Sequence, residues 1–562
     1  MIYCEGMEEL KAQIEKFFSG DVVLDRVELK KASHDWSLFE VMPKMVVYPR
    51  NARDVKELTA FVSKKKKTQK WFDLSLTVRA AGTDMTGGPL NDSIIVDVTR
   101  YLKGIKSINK EEVTLLPGTY YRDLEVETDK LDVMMPCFPA SKSICAVGGM
   151  VANNGAGELS LRYGQNKDWV KSLKAVLADG TECEFGSVTK DVVYAKSLQK
   201  DMEGDIYRKI WHLTQRAKDE IAEARPSTSK NSSGYLIWDV WDEETGIFDM
   251  TKLIVGAQGT TAIITEITYK LTPKPKSKTL LVSFLKDFTP IPDLVSELLK
   301  TNPDSLEVYD DNTFKIAVKF FKDLVKNKGV FGIIRYGLRF IPEFIMSIFG
   351  GVPKMIVLSE YSGQNEEEVD QKAKEAKKAI SKIKRVKSRV VSSENEAEKY
   401  WQIRHDSFKL LTEHSSDQSH GSRTAPFIDD IAVNPEHLPE YLPKLIELLD
   451  KYELLYTIAG HIGNGNLHVI PIMDFDDPKT KEVILEITPK VYELVKEYDG
   501  SFSAEHNDGI IRTPYLPLMY GEKTMGIFKE IKDIFDPLNI FNPGKKIGIT
   551  KKYLESHIRE GK

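Results

Sequence analysis

The residues best suited to chemistry lie late in the chain. The segment GHIGNGNLH sets His461 and His468 on either side of a six-residue glycine-rich turn, and LHVIPI places His468 at the start of a strand. A tight turn of this kind brings two imidazoles together. With Glu505 of SAEHNDG from elsewhere in the chain, they make a three-ligand set that leaves positions open for a substrate, as catalytic divalent sites require. Imidazole and carboxylate ligands suit Zn²⁺, Mn²⁺ or Fe²⁺ alike, so these residues do not choose the ion. Histidines flanking a turn can also be plain hydrogen-bonded loop residues, and the pattern alone leaves both readings open.

A second chemical pattern lies early, in VRAAGTDMTGGPL, residues 78–90. The runs SLTVRA before it and SIIVDVT after it have the β-branched look of strands, so the loop connects strand to strand. A Walker loop needs a Lys-Ser/Thr end and a dinucleotide fingerprint needs a following helix; neither is present. Gly82, Gly87 and Gly88 still let backbone N–H groups turn inward, and Thr83 and Thr86 add hydroxyls. Such a loop can cradle a pyrophosphate, or it can be a loose glycine turn. A further block, PASKSICAVGGMVANNGAGELSLRYG, interleaves glycines with alanines and the amides Asn153 and Asn154, a composition that suits backbone packed flat against a large planar ligand.

The elements that must position these residues follow from periodicity. MVVY leads through a Pro-Arg turn into a helix beginning near Ala52, with Val55, Leu58, Phe61 and Val62 at helical spacing. EVTLL runs into a Pro-Gly turn and a helix beginning near Tyr120, and VKSLKAVLADGTE is a strand ending in an Asp-Gly hairpin turn. KLIVGAQGTTAIITEITYK reads as two strands separated by Gly256 and Gly259. After the Pro- and Lys-rich LTPKPKSK, strands such as TLLVSFL and MIVLSEY alternate with helices such as IPDLVSELLKT, which predicts a separate α/β unit.

Bulk properties bound the partners. A chain of 562 residues exceeds one core and predicts two or three domains. Its 79 basic against 84 acidic residues, a net charge of −5, argue against a nucleic-acid partner. The four cysteines show no metal-knuckle or disulfide spacing, and the N-terminal segment reads as an amphipathic helix rather than a signal peptide, so a reducing cytoplasm is expected. Residues 329–353 approach membrane hydrophobicity, but Arg335, Arg339 and Glu343 interrupt them; a helix on its own core and a peripheral contact at the inner membrane face both remain open.

Taken in order, AAGTDMTGG, the second glycine block, GAQGTTAIITEI, GHIGNGNLH, the Glu-His pair of SAEHNDG and the ending FNPGKK resemble the vanillyl-alcohol-oxidase type of FAD-linked oxidases. Within that type they are most similar to the D-2-hydroxyacid dehydrogenase branch. The resemblance implies an α+β fold: an FAD-binding domain over residues 1–274 made of two subdomains split near 105, an α/β substrate or cap domain over 275–500, and a C-terminal helical segment over 501–562 that completes the active site. It implies a pyrophosphate grip on Gly82, Thr83, Asp84, Thr86 and Gly87. Pro139, Ser141, Gly148, Gly149, Ala152, Asn154, Gly157 and Ile264 would then line the flavin and its ribityl chain, with Asn542 arriving from the C-terminal segment. No histidine stands in the first loop, so FAD is expected to be non-covalent. The metal ligands are expected to be His461, His468 and Glu505, the base His506, and the group gripping the substrate carboxylate Arg404.

The reaction so implied oxidises a D-2-hydroxy acid, lactate-, glycolate- or 2-hydroxyglutarate-like, to the 2-oxo acid. The metal binds the substrate, neutral His506 takes the hydroxyl proton and hydride passes to the flavin. Electrons would go on to a quinone, an electron-transfer protein or oxygen, and a homodimer stays open. The runner-up is a transferase like alkylglycerone-phosphate synthase, which uses the same type of FAD fold. Two departures from the branch stand out: Asn464 replaces its usual aspartate, and Asn507-Asp508 are inserted after His506. Its usual lysine before DDIAVNP is also missing, with Ile428 near that position and Arg423 the closest cation.

Overall fold

The strands Leu76–Arg79 and Ile94–Asp97 pair in parallel, with Val78 beside Val96. Parallel neighbours need a long crossover, and residues 80–93, which carry the first glycine loop, supply it. The computed structural model describes residues 2–313, 353–404 and 422–560. Apart from Pro353, the apolar stretch 329–353 lies outside the described residues. Among those described, no helix is long and apolar enough to cross a membrane.

The fold is α+β and, among the described residues, rests on three main sheets. The first orders Asp21–Val23, Met45–Tyr48, Ile94–Asp97 and Leu76–Arg79. The helix Ala52–Lys66 covers it with Val55, Leu58 and Val62. It starts where the Asn51 side chain accepts from the Asp54 N–H, and it ends in Lys64, Lys65 and Lys66, whose charge suits the C-terminal dipole. The second sheet has seven strands, centred on Val170–Val176, Ile263–Lys270 and Glu182–Thr189. The third has eight and is built from antiparallel pairs. Its buried middle is Met355–Gly363, Ser305–Asp310, Leu455–His461 and Asn466–Asp474.

One expected strand is absent. KLIV falls in and after a 3₁₀ turn, Met250–Leu253, because Asp249 caps that turn by accepting from the Thr251 N–H; the strand there is the preceding Ile247–Asp249. Burial shows how the C-terminal residues tie the sheets together. Ile510, Ile511 and Tyr515 join the core of the third sheet; Phe528, Ile531 and Phe535 join that of the second; Ile540 and Phe541 join that of the first. Sequence-distant parts are thus fixed relative to one another by apolar burial.

Candidate active site

The hairpin Leu455–His461 and Asn466–Asp474 sets His468 opposite Ala459, and His461 opposite Asn466. Its turn closes through Gly465 in the left-handed region (φ 68°), where an added Cβ would stand 1.7 Å from the carbonyl oxygen of Val433. Only glycine fits there. Gly465→Ala is therefore expected to cost more than about 2 kcal/mol in urea unfolding and to weaken metal affinity, since the strain falls between the two histidines.

Both imidazoles converge on one oxygen. Glu505 Oε1 lies 3.2 Å from His461 Nε2 and 3.4 Å from His468 Nε2. Ligands bound at about 2.1 Å to a single ion are themselves about 3.0–3.4 Å apart, so each histidine stands from Glu505 Oε1 at the spacing of two ligands of one ion. Each imidazole turns its other nitrogen to a carboxylate: His461 Nδ1 is 2.5 Å from Glu307 Oε1, and His468 Nδ1 is 3.0 Å from Asp429 Oδ1. Carboxylate–histidine pairs of this kind orient metal ligands. The group whose ligand atoms all lie within 4.8 Å of one another is Asp430, His468, Glu505 and His506; of the expected ligands it holds His468 and Glu505 but not His461.

These contacts continue in both directions. The second oxygen of Glu307 accepts from Arg404 Nε at 3.1 Å, and Asp429 Oδ2 lies 2.9 Å from His506 Nδ1. Arg404, Glu307, His461, Glu505, His468, Asp429 and His506 thus form one chain in which carboxylates alternate with basic side chains. Burial works against a charged His468, but Asp429 and Glu505 outweigh it and lift its pKa to about 10. His506 is also raised: burial opposes its charge, and Asp430 and Asp429 overcome that. Burial pushes the Glu307 carboxyl up, yet His461 and Arg404 hold it below the usual range. The carboxylates draw positive charge into the cluster, the demand a divalent cation would meet.

A cavity of about 510 Å³ joins this cluster to the glycine loops. Arg404, Asp429, His468, Glu505 and His506 line it, together with Thr457, Ala459 and Ile470 of the hairpin. Of the expected cofactor residues, Gly82, Thr83, Asp84, Pro139, Ser141, Gly148, Gly149, Ala152 and Ile264 also line it. The rest stand behind the wall. Thr86 donates its N–H and hydroxyl to Asp84 Oδ2, and Gly87 donates its N–H to Asp35, so these groups shape the loop. Asn154 caps a helix in the left-handed region. At Gly157 an added Cβ would lie 2.1 Å from the Phe138 carbonyl oxygen. Asn542 Nδ2 donates to the carbonyls of Gly88 and Gln258 at 2.9 and 2.7 Å, pinning the two glycine segments together. A side-chain-poor wall at Gly82, Gly148 and Gly149 fits a broad, flat group such as a flavin dinucleotide.

The departures have structural roles. Asn464 accepts from Ser160 Oγ at 3.1 Å and donates to Ser229 Oγ at 3.0 Å, a pair of contacts that an amide makes. Asn507 donates to the carbonyls of Asn153 and Gly256, while Asp508 accepts from Ser233, Gly234 and Lys546. Together they clamp the loop carrying Glu505 and His506 onto the early half of the chain. Ile428 is buried, and neither it nor Arg423 lines the cavity.

Four residues of the cluster escape sequence reasoning: Glu307, Asp429, Asp430 and Lys230. Asp430 accepts the backbone N–H of Glu505 at 3.0 Å and of His506 at 2.7 Å, fixing both side chains' origins. Lys230 Nζ lies 2.6 Å from Glu505 Oε2. The acidic pair in APFIDDIAV is a visible signal, because two charges inside an apolar run need partners; Lys230 has no local signal.

The family described as FAD binding domain matches residues 43–186, and that described as FAD linked oxidases, C-terminal domain, matches residues 274–546. The chain is 27% identical over 548 residues to D-2-hydroxyglutarate dehydrogenase of Pantoea ananatis (strain AJ13355), covering 96% of this chain and 51% of that protein. It therefore spans about half that relative's length. It is 24% identical over 550 residues to a protein of the same name from Stutzerimonas stutzeri (strain A1501), covering 96% and 98% respectively. Its fold is similar to that of p-cresol methylhydroxylase with substrate bound, with a TM-score of 0.68 at 15% identity over 98% of each chain.

Proposed function

We propose that this chain, which belongs to the FAD-linked oxidases, oxidises a D-2-hydroxy acid to the corresponding 2-oxo acid. The observation that carries the reading is the chain of acidic and basic side chains from Arg404 to His506, of which Arg404, Glu505, His468, Asp429 and His506 line the same cavity as the glycine loops. The names of the two hydroxyglutarate dehydrogenases support the substrate class. We assign FAD to residues 1–274, the histidine hairpin to a substrate unit over 275–500, and the base to the segment 501–562.

The glycine loops would hold FAD non-covalently, and FAD would supply two-electron oxidation at the substrate's Cα. His461, His468 and Glu505 would hold a divalent ion, which would supply Lewis acidity toward the substrate hydroxyl. The protein's own groups do the rest. Arg404 binds the substrate carboxylate; its Nε contact to Glu307 holds the guanidinium plane in place. His506 Nδ1 faces Asp429, which leaves Nε2 to accept the hydroxyl proton, and Asp429 stabilises the imidazolium that forms. Ala459 and Ile470 present apolar surface to the same space and limit water there.

Chelation separates the two groups. Protein treated with a chelator and desalted is expected to stay yellow yet fail to bleach anaerobically with D-lactate, glycolate or D-2-hydroxyglutarate, and to recover when Zn²⁺ or Mn²⁺ is returned. Bleaching that survives metal removal contradicts the metal's role. Failure of all three acids on metal-loaded protein contradicts the substrate class.

A further inference from the structure

Lys230 is fully buried and belongs to the segment between the helix Lys218–Ala224 and the 3₁₀ turn Ile237–Asp239, in the early half of the chain. Its Nζ donates to Glu505 Oε2 at 2.6 Å and to Asn466 Oδ1 at 3.0 Å. The opposite oxygen, Glu505 Oε1, is the one that faces His461 and His468. The two oxygens of one carboxylate therefore have different occupations.

We propose that Lys230 is a positioning residue that restricts Glu505 to a single ligating oxygen and so keeps the ion's remaining positions for the hydroxyl and carboxylate of the substrate. A carboxylate beside a divalent ion can bind through one oxygen or both. A charge-assisted hydrogen bond on Oε2, made by a fully buried ammonium, favours the one-oxygen mode. The lysine is itself held. Its neighbour Asn231 accepts from Ser501 Oγ at 2.6 Å, and Ser232 donates to the carbonyls of Ser503 and Ala504, each at 2.9 Å. Asn466, its second acceptor, lies opposite His461 in the hairpin and donates to Asp430 Oδ1 at 3.1 Å. Lys230 is thus locked to the same loops as the groups it restrains. A point-charge ammonium suits this place, because a single nitrogen serves one carboxylate oxygen of Glu505 and the amide oxygen of Asn466.

The inference rests on the metal reading given above, and wild-type protein tests that reading separately. Zinc affinity is measured by chelator competition on flavin-containing Lys230→Met and wild-type proteins. Oxalate, a two-oxygen chelator that cannot be oxidised at a Cα–H, is then titrated calorimetrically into each, and zinc X-ray absorption counts light-atom ligands. For Lys230→Met the expected result is zinc affinity within threefold of wild type, oxalate affinity lower by about tenfold, and one additional oxygen at zinc before oxalate is added. Lys230→Gln, which keeps a donor, is expected to fall between the two and serves if the methionine variant does not retain flavin. Joint loss of zinc and oxalate affinity overturns the proposal by making Lys230 a general support of the site. Unchanged oxalate affinity and ligand count overturn it by making the lysine a spectator. Absence of zinc binding in wild type removes the metal reading and the proposal with it.

Discussion

His506→Asn is expected to keep its flavin and its metal and to lose about 10²–10⁴-fold in the rate of anaerobic flavin reduction, the range that general-base groups contribute. The asparagine side chain reaches the region of Nδ1 and can still meet Asp429, so the loop is not expected to collapse. The backbone anchor is also untouched, since the His506 N–H donates to Asp430 at 2.7 Å whatever the side chain. What disappears is a nitrogen able to accept a proton on the cavity side. Rapid mixing with a saturating hydroxy acid measures this directly. A rate within a few-fold of wild type removes His506 as the base.

A second large effect is expected from Glu505→Gln. Zinc affinity should fall by more than about 100-fold, beyond what outer ligand partners cost, because the one atom shared by His461 and His468 loses its charge. Stability should fall as well, by about 3–5 kcal/mol, since the ammonium of Lys230 is left buried without its counter-charge. The two losses can be separated. Adding Lys230→Met to Glu505→Gln should recover much of the urea stability and none of the metal affinity, a coupling that a double-mutant cycle reads out. If the double variant is less stable than Glu505→Gln alone, the ion pair is not the source of the loss.

Much of this arrangement was legible in the sequence where the information is local. The nine residues GHIGNGNLH already place two imidazoles across a turn, and the hairpin in the structure has them on adjoining strands. The parallel strands around the first glycine loop are visible as β-branched runs, and the helix Ala52–Lys66 shows its cap, apolar face and basic end in one stretch. KLIV misleads because its apolar run looks like a strand, while the Asp249 cap that turns the chain lies just before it.

The remainder depends on contacts that no local pattern encodes. Glu307 meets His461 across 154 residues, and Lys230 meets Glu505 across 275. Glu307 is one of two acids in the strand Ser305–Asp310, and nothing in that strand tells whether it faces water or a histidine. The same holds within the glycine loop. Thr86 and Gly87 look like phosphate donors by type, but Asp84 and Asp35 already accept their N–H groups. Residue type sets what a group can do, and three-dimensional packing decides which partner it meets.

The most direct measurement is a single-turnover reduction of flavin-containing, metal-loaded protein under anaerobic conditions, with D-2-hydroxy acids carrying hydrogen or deuterium at Cα. The account predicts that the flavin band bleaches with at least one of D-lactate, glycolate and D-2-hydroxyglutarate. It also predicts that deuterium slows the bleaching and that the 2-oxo acid appears in a one-to-one ratio with reduced flavin. A flavin that stays oxidised with every acid, or bleaches without forming a 2-oxo acid, contradicts it.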